Sequence, residues 1–375
     1  MPEALLAGIC LALLLAHIAS TAVAMFRCRP QRQLMPPPAV PPKVAVLRPV
    51  CGVDTFDEST LRSTFELDYS RTQLIFCCDR ANDAAAHVVR ALIKEFPHVD
   101  AKLLIGRDPV TRNPKLNNLL KGWPHVDAEW LIMADSNVEM PKDYVQRLLA
   151  GWKPGTGVLC SPPIGKSPVG FWAEIECAFL NTYQARWQYT ADSVGWGFAQ
   201  GKTMMFRRRD LAAAGGLLAL EAEVAEDAAA TKLVRAMGLS AHLTDRPFTQ
   251  PLGPRSARQV WDRQARWARL RRMTFPYLFL PEILTTSLVP LTAAALGSEF
   301  LHVPMLAAVL AAAACWYGAE AVLARGAAWH LSWRSPIAAL VRDLMLPALW
   351  VYAWAGSSFT WRGNEVVADR TLAHR

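Results

Sequence analysis

The chain has 375 residues, of which 52% are hydrophobic. This length allows one or two domains with a substantial core, and the apolar content points to membrane segments. The formal net charge is +8, but the basic residues are scattered and form no nucleic-acid reading motif. We therefore expect no nucleic-acid partner and an affinity for anionic lipid surfaces or nucleotide phosphates. The 8 cysteines include no CxxC pair, which argues against zinc and against a disulfide framework, and favours a reducing, cytosol-facing body.

An uncharged apolar run begins the chain, from Ala4 to Phe26. Its length is close to what a helix needs to cross a bilayer core of roughly 30 Å. Positive charge follows the run at Arg27 instead of preceding it, which is unlike a cleaved signal peptide. We predict a retained anchor over residues 1–27 with its C-terminal side in the cytosol, followed by a proline-rich linker over residues 28–42.

Strands alternate with helices in the middle of the chain. The predicted strands cover residues 43–49, 74–78, 101–105, a run that ends at Asp135, and residues 158–161, 203–206 and 239–244. The predicted helices cover residues 58–66, 84–96, 170–189 and 225–235, and a loop is predicted over residues 110–118. This alternation predicts a mostly parallel, doubly wound α/β sheet in a catalytic domain over residues 43–258.

Aspartates follow two of these strands, at Asp79 and Asp135. A carboxylate at such a strand end lies in the crevice where open α/β sheets bind ligands. Asp135 and Asn137 share a face of an extended backbone, because side chains two residues apart point the same way. Their oxygens suit Mg²⁺ or Mn²⁺ held together with a substrate diphosphate. A strand that ends in an Asx-turn is the alternative interpretation.

Glu226 and Asp227 are the first residues of a later predicted helix. The helix dipole favours carboxylates in a first turn, and this is a sufficient structural reason for the pair. A catalytic interpretation of Asp227 depends on the neighbouring motifs.

A cationic stripe marks the predicted helix over residues 259–274. Arg263, Arg266 and Arg269 recur at a spacing of three, with Trp267 beside them. One interpretation is an interfacial helix that lies on anionic headgroups. The other is that the guanidinium groups bind a departing diphosphate while Trp267 lines the acceptor site.

Residues 275–360 are again largely apolar, in three runs that prolines and ionisable residues interrupt. Ionisable residues at membrane depth are costly and usually face protein or a pathway. Three full spans would leave the C-terminus outside, whereas the basic tail over residues 361–375 favours the inside. We therefore predict that one segment is re-entrant or interfacial, namely the one interrupted at Pro347.

The order of these motifs resembles the processive and lipid-directed inverting glycosyltransferases, which carry D, DxD-like, D and (Q/R)xxRW elements. Among them the chain is most similar to the ceramide glucosyltransferases. The resemblance covers roughly residues 46–281. It rests on the strings LRPVCGVD (47–54), FELDY (65–69), VDAKLLIG (99–106), NPKLNNL (113–119), AGGL (214–217) and AEDAAATK (225–232), and on RQARW (263–267).

The resemblance implies a glycosyltransferase-A fold, UDP-glucose as donor, a divalent cation, and the primary hydroxyl of ceramide as acceptor. By this resemblance, Asp79, shared with Asp83, holds the uridine part of the donor, and Lys115 makes a further donor contact. Asp135 holds the metal-bridged diphosphate, and Asp227 is the general base. Arg263, Arg266 and Trp267 serve the leaving diphosphate and the acceptor pocket. Asn137 stands where many relatives have the second aspartate of DxD, so we expect Asp135 and Asn137 to hold the metal with a single carboxylate. One base and no second nucleophile predict inversion and a β-linked product.

Several alternatives stay open at this point. The same fold could act on a hopanoid or another polyprenoid lipid, use another UDP-sugar, or extend a polysaccharide. A nucleotide-sugar or lipid carrier without catalysis is a different class of protein. The alanine-rich composition favours a bacterial cytoplasmic membrane over a Golgi membrane as the location, with membrane lipids as further partners.

Overall fold

The computed structural model describes residues 2–29 and 41–356, and the backbone of two short strands beyond them. Most of the predicted linker and of the basic tail lies outside the described residues. The chain forms two compact units. The helical unit comprises Met1–Arg29, Gly165–Thr190 and Pro254–Arg375, and the sheet unit comprises Pro30–Ile164 and Ala191–Gly253. Residues 165–190 and 254–258, which were predicted to belong to the catalytic domain, group with the helical unit. The other predicted domain boundaries stay predictions.

The strands, in chain order, are β1 (Val44–Pro49), β2 (Thr72–Cys78), β3 (Ala101–Ile105), β4 (Trp130–Ala134), β5 (Thr156–Cys160), β6 (Ile164–Val169), β7 (Thr203–Arg207), β8 (Ser240–Leu243), β9 (Thr249–Pro254), β10 (Ser358–Trp361) and β11 (Asn364–Val367). The helices are α1 (Pro2–Cys28), α2 (Asp57–Phe65), α3 (Ala84–Glu95), α4 (Pro114–Gly122), α5 (Tyr144–Gly151), α6 (Phe171–Ala178), α7 (Arg186–Ser193), α8 (Arg208–Ala213), α9 (Glu226–Ala236), α10 (Ala257–Thr274), α11 (Pro276–Phe279), α12 (Leu288–Leu296), α13 (Met305–Gly326) and α14 (Ser335–Trp354). A π-helical stretch at Phe179–Ala185 joins α6 to α7.

Seven strands form the main sheet of the sheet unit, in the order β3-β2-β1-β4-β7-β5-β8. Strands β1 to β4 pair in parallel. Strand β7 runs antiparallel to both of its neighbours, β4 and β5, while β5 and β8 are again parallel. The predicted mostly parallel α/β sheet is therefore confirmed. The carboxyl ends of β2, β1 and β4 lie at the same sheet edge.

The core of the sheet unit consists of the apolar strands and the helices that cover them. Strands β1, β2 and β4 are almost continuously buried, as expected for central parallel strands covered on both faces. Buried side chains from α2, α3 and α5 pack against them, among them Leu61, Val89 and Tyr144. This packing fixes the positions at which the strands end.

The predicted loop over residues 110–118 is wrong in its second half, because α4 begins at Pro114. Asn113 caps this helix, and its side-chain oxygen accepts hydrogen bonds from the backbone N–H groups of Lys115 (2.9 Å) and Leu116 (3.1 Å). Proline at the first helical position lacks only an N–H that would have no helical partner there. Asparagine and proline, which suggested a loop, are here helix-start signals.

Three helices of the helical unit, α1, α13 and α14, are long and apolar enough to cross a membrane. The segments Pro276–Thr285 and Leu288–Leu296 form a pair bent by 49°, which is a broken span or a re-entrant loop. Helix α14 continues without a break through Pro347. The predicted break at Pro347 is therefore wrong, and a break occurs before α12 instead. That one segment is re-entrant or interfacial stays a prediction.

Three ionisable residues of α13 and α14 face protein. Arg342 on α14 donates to both carboxylate oxygens of Glu320 on α13, at 2.9 and 3.0 Å, and pairs with Asp343 at 2.7 Å. All three are almost completely buried. Thr182 donates to Glu320 at 2.7 Å and accepts from Arg342 at 2.9 Å. The cost of burying these charges is offset within one hydrogen-bonded cluster.

Candidate functional site

The backbone after β4 is held by a buried arginine from β1. Arg48 donates to the carbonyl oxygens of Asp135 (2.7 Å), Ser136 (2.9 Å) and Val138 (3.0 Å), and also to that of Thr60 (2.9 Å). Burial is the main reason why the pKa of Arg48 falls to about 10. Because the guanidinium holds three carbonyls within four residues, the turn has a defined shape, and the side chains of Asp135 and Asn137 project from it.

Two lysines meet the side chain of Asp135. The ammonium nitrogen of Lys115 lies 2.6 Å from one carboxylate oxygen, and that of Lys202 lies 2.8 Å from the other. Lys202 also donates to the Asn137 side-chain oxygen at 3.1 Å. Burial alone would raise the pKa of Asp135, but the two ammonium groups outweigh it and hold this pKa well below its usual range. Asp135 is therefore ionised at neutral pH.

Lys115 connects Asp135 to the first turn of α9. Its nitrogen lies 2.5 Å from a carboxylate oxygen of Glu226 and donates to the carbonyl of Gly201 at 2.9 Å. The other Glu226 oxygen accepts from the Asn113 side chain at 3.0 Å. Burial is the largest single influence on the pKa of Lys115 and would lower it. The carboxylates of Asp135 and Glu226 together outweigh burial, so the pKa of Lys115 is raised. The NPKLNN string thus supplies the helix cap, the bridging cation and a partner for Glu226.

Asp227 lies beside this bridge. One carboxylate oxygen accepts from the backbone N–H of Gly201 at 3.0 Å, and the other accepts from that of Ala228 at 2.8 Å. Burial, followed by the neighbouring charge of Glu226, raises the pKa of Asp227 to about 6. A carboxylate with a pKa close to neutrality is suited to accept a proton from a hydroxyl group.

Gly201 lies at the centre of these groups. A β-carbon at this position would lie 3.1 Å from a Glu226 oxygen, 3.3 Å from an Asp227 oxygen and 3.5 Å from the Lys115 nitrogen. The structure therefore brings Lys115, Asp135, Asn137 and Asp227 of the predicted site together in the sheet unit.

The two remaining predicted donor residues have different surroundings. Asp79 follows β2, at the same sheet edge as Asp135, with β1 between the two strands. Asp83 caps α3: one of its oxygens accepts from the backbone N–H groups of Ala85 (2.8 Å) and Gly52 (2.9 Å). Asp83 thus has a structural role, and its share in donor binding stays a prediction.

Arg263, Arg266 and Trp267 lie on α10, which belongs to the helical unit. Arg263 pairs with the buried carboxylate of Glu176. Arg266 and Trp267 are half-buried on the same helix. Their convergence with the aspartates of the sheet unit stays a prediction.

The donor atoms at Asp135 fit a cation only in part. Within residues 2–29 and 41–356, no group of three His, Cys, Asp or Glu side chains is arranged to hold a metal ion. One Asp135 oxygen and the Asn137 oxygen nevertheless lie 2.8 and 3.1 Å from the same Lys202 nitrogen, so both point at one cation. Such a pair suits Mg²⁺ or Mn²⁺ whose other ligands are water and a diphosphate.

Sequence reasoning did not identify Lys202, Glu226 or Arg48 as site residues. Lys202 precedes β7, and it meets Asp135 because Ala134 at the end of β4 pairs with Thr203 at the start of β7. That antiparallel pairing has no signature in the sequence. Arg48 had a usable signal, because an arginine inside an apolar parallel strand needs buried acceptors.

Comparisons with known proteins agree with this architecture. The model of glycosyl transferase family 21 matches residues 12–371. Ceramide glucosyltransferase 1 of Caenorhabditis elegans is 27% identical over 291 residues, which is 77% of this chain and 62% of that protein. The ceramide glucosyltransferase of Komagataella phaffii is 40% identical over 112 residues, which is 29% of this chain and 22% of that protein. The chain spans 62% and 53% of the length of the two C. elegans relatives that it matches.

A solved structure shows the fold. The mannosyltransferase PcManGT from Pyrobaculum calidifontis, in complex with GDP-Man and Mn²⁺, has a TM-score of 0.52 to this chain at 18% sequence identity. The match covers 93% of this chain and 98% of that one. The expected glycosyltransferase-A fold is confirmed.

Proposed function

We propose a specific transfer reaction for this chain, which belongs to glycosyl transferase family 21: it moves glucose from UDP-glucose to the primary hydroxyl of ceramide, with inversion, to give β-glucosylceramide. The observation that carries the proposal is the cluster of Asp135, Lys115 and Asp227 at the carboxyl edge of the sheet. Ligands of open α/β sheets bind at this edge.

We place the diphosphate of the donor next to the two lysines of the cluster. Lys115 and Lys202 are cations that a diphosphate can contact, and Asp79 at the end of β2 takes the uridine part. Asp83, which caps α3, contributes to the same uridine site. A bound Mg²⁺ or Mn²⁺ at Asp135 and Asn137 would neutralise charge on the diphosphate.

The transfer requires a base at the acceptor hydroxyl. As glucose leaves, negative charge grows on the diphosphate and positive character grows at the anomeric carbon. Asp227 removes the proton from the attacking hydroxyl, and its pKa of about 6 leaves it mostly ionised at neutral pH while still basic. One base and one direct displacement give an inverted, β-linked product.

The helical unit supplies the acceptor side of the proposal. Arg263 and Arg266 on α10 meet the leaving diphosphate, and Trp267 walls the acceptor pocket. Ceramide stays in the bilayer, since each buried CH₂ contributes about 0.8 kcal/mol. The apolar helices therefore bring the enzyme to the lipid. We place the sheet unit in the cytosol and the protein in a bacterial cytoplasmic membrane in preference to a Golgi membrane.

The test of the function is the lipid product. A host that expresses the chain should accumulate a β-linked glucosylceramide, detected by mass spectrometry and by NMR of the anomeric proton. Asp135→Ala should abolish it. Asp127→Ala is the matched control: it removes an aspartate of the same unit whose side chain is 88% exposed, and should leave the product in place.

Purified protein with a panel of UDP-sugars and lipids identifies the substrates. Transfer to a hopanoid or another polyprenoid lipid, or from another UDP-sugar, would keep the chemistry and replace the proposed substrates. An α-linked product would contradict inversion. Absence of UDP release with every acceptor would favour a carrier without catalysis.

A further inference from the structure

The position of Lys202 bears on how a metal reaches the site. Its ammonium nitrogen is within hydrogen-bond distance of both oxygens that the proposed function assigns to the metal, at 2.8 Å from Asp135 and 3.1 Å from Asn137. Mg²⁺ binds oxygens at about 2.0–2.1 Å, so a metal on these two atoms would occupy the place of the ammonium group. A metal therefore binds there only after Lys202 has moved.

The charge of the cluster also opposes a metal that arrives alone. Lys115 lies 2.6 Å from Asp135 and 2.5 Å from Glu226, and Lys202 lies 2.8 Å from Asp135. Both ammonium groups thus already hold Asp135 in a partly buried site, where the side chains of the lysines are 13% and 14% exposed. A lone divalent cation on Asp135 would lie close to two positive charges that repel it. A diphosphate that arrives with the metal would attract both ammonium groups and reduce this repulsion.

Lys202 can exchange partners without unfolding its surroundings. Its backbone carbonyl accepts a hydrogen bond from the N–H of Asp135 at 3.1 Å, which holds the main chain in place independently of the side chain. A lysine ammonium on a flexible stem binds phosphate oxygens as a point charge. A diphosphate in the site therefore offers Lys202 a new partner as it leaves Asp135 and Asn137.

We infer that Lys202 blocks the metal position until a nucleoside diphosphate draws it away, so that Mg²⁺ or Mn²⁺ enters together with the donor. The inference rests on the proposed function only for the assignment of Asp135 and Asn137 to the metal. It requires neither glucose nor ceramide. Binding of metal and of nucleotide is then positively coupled, and each strengthens the other by the same factor.

The experiment measures Mn²⁺ binding to the full chain in detergent micelles, by electron paramagnetic resonance of free Mn²⁺, with and without UDP. For the unaltered chain, UDP should tighten Mn²⁺ binding by about tenfold or more, and Mn²⁺ should tighten UDP binding equally. Lys202→Met should tighten Mn²⁺ binding in the absence of UDP by about tenfold, because it removes one close positive charge. In the same variant, UDP should tighten Mn²⁺ binding by a smaller factor than in the unaltered chain.

Two further variants make the result decisive. Lys202→Arg keeps the charge and should keep Mn²⁺ binding weak without UDP. Lys142→Met removes an exposed lysine of the same unit and should leave Mn²⁺ binding, with and without UDP, as in the unaltered chain. Unchanged or weaker Mn²⁺ binding by Lys202→Met in a chain that still binds UDP would overturn the inference. Failure to glucosylate ceramide would overturn the proposed function but leave the Mn²⁺ result intact, so the two failures are distinguishable.

Discussion

The pKa of Asp227 sets the pH dependence of the proposed reaction. Burial is the larger cause and the charge of Glu226 is the next, and they raise this pKa to about 6. A general base acts only when deprotonated, so the rate should rise with pH through about 6 and fall about tenfold per unit below it. Glu226→Gln removes the second cause and keeps the size of the side chain. We expect the acid limb to shift down by about one unit, a typical effect of one close like charge.

The magnitude of the change is clearest at pH 5. With a pKa of about 6, roughly 9% of Asp227 is deprotonated there, and with a pKa of about 5 the fraction is about one half. Relative to its own plateau at high pH, the variant should therefore be about fivefold more active at pH 5 than the unaltered chain.

The assay follows UDP release with saturating acceptor from pH 4.5 to 8. The absolute plateau of Glu226→Gln should fall, because Lys115 loses a charged partner 2.5 Å away and Asn113 loses a carboxylate acceptor 3.0 Å away. Only the midpoint of the acid limb is diagnostic. A midpoint that stays at the value of the unaltered chain, or a rate that does not decline below pH 6, would refute the assignment of Asp227 as the base.

Three further changes test the rest of the site. Asp227→Asn should keep UDP binding but lose about 10²–10⁴-fold in turnover, and near-normal turnover would remove Asp227 from the base role. Gly201→Ala places a β-carbon 3.1 Å from Glu226 and should weaken UDP binding by about tenfold, measured by calorimetry, since small displacements of positioning groups are costly. Arg48→Met removes the guanidinium hydrogen bonds to four carbonyls and should lower the free energy of unfolding of the sheet unit by about 3–5 kcal/mol in urea, whereas a loss under about 1 kcal/mol would contradict its role.

The strand ends of the site were predictable because the runs before Asp79 and Asp135 are apolar and end abruptly. Buried parallel strands require such runs, and their carboxyl ends lie at one edge. The helix after Asn113 was not recognised, because asparagine and proline favour both turns and helix starts. Only the capping hydrogen bonds decide between the two.

Contacts between distant segments set the limit of sequence reasoning. The approach of Lys202 to Asp135 depends on the antiparallel register of β4 and β7, and alternating hydrophobicity does not encode strand direction. The re-entrant or interfacial segment was assigned to the run with Pro347, because proline is the usual sign of an interrupted helix. In α14 the proline costs one hydrogen bond and the helix continues through it.

The pairing of Arg342 with Glu320 has a consequence for how the protein is made. These charges lie on successive apolar helices, α13 and α14. Helix α14 carries its own pair of Arg342 and Asp343, whereas α13 inserted alone would carry the Glu320 carboxylate into hydrocarbon without its arginine, at a cost of a few kcal/mol in order of magnitude. Insertion of the two as a hairpin would join the opposite charges before either helix meets lipid. Biosynthesis of this region should therefore favour simultaneous release of both segments from the translocation machinery.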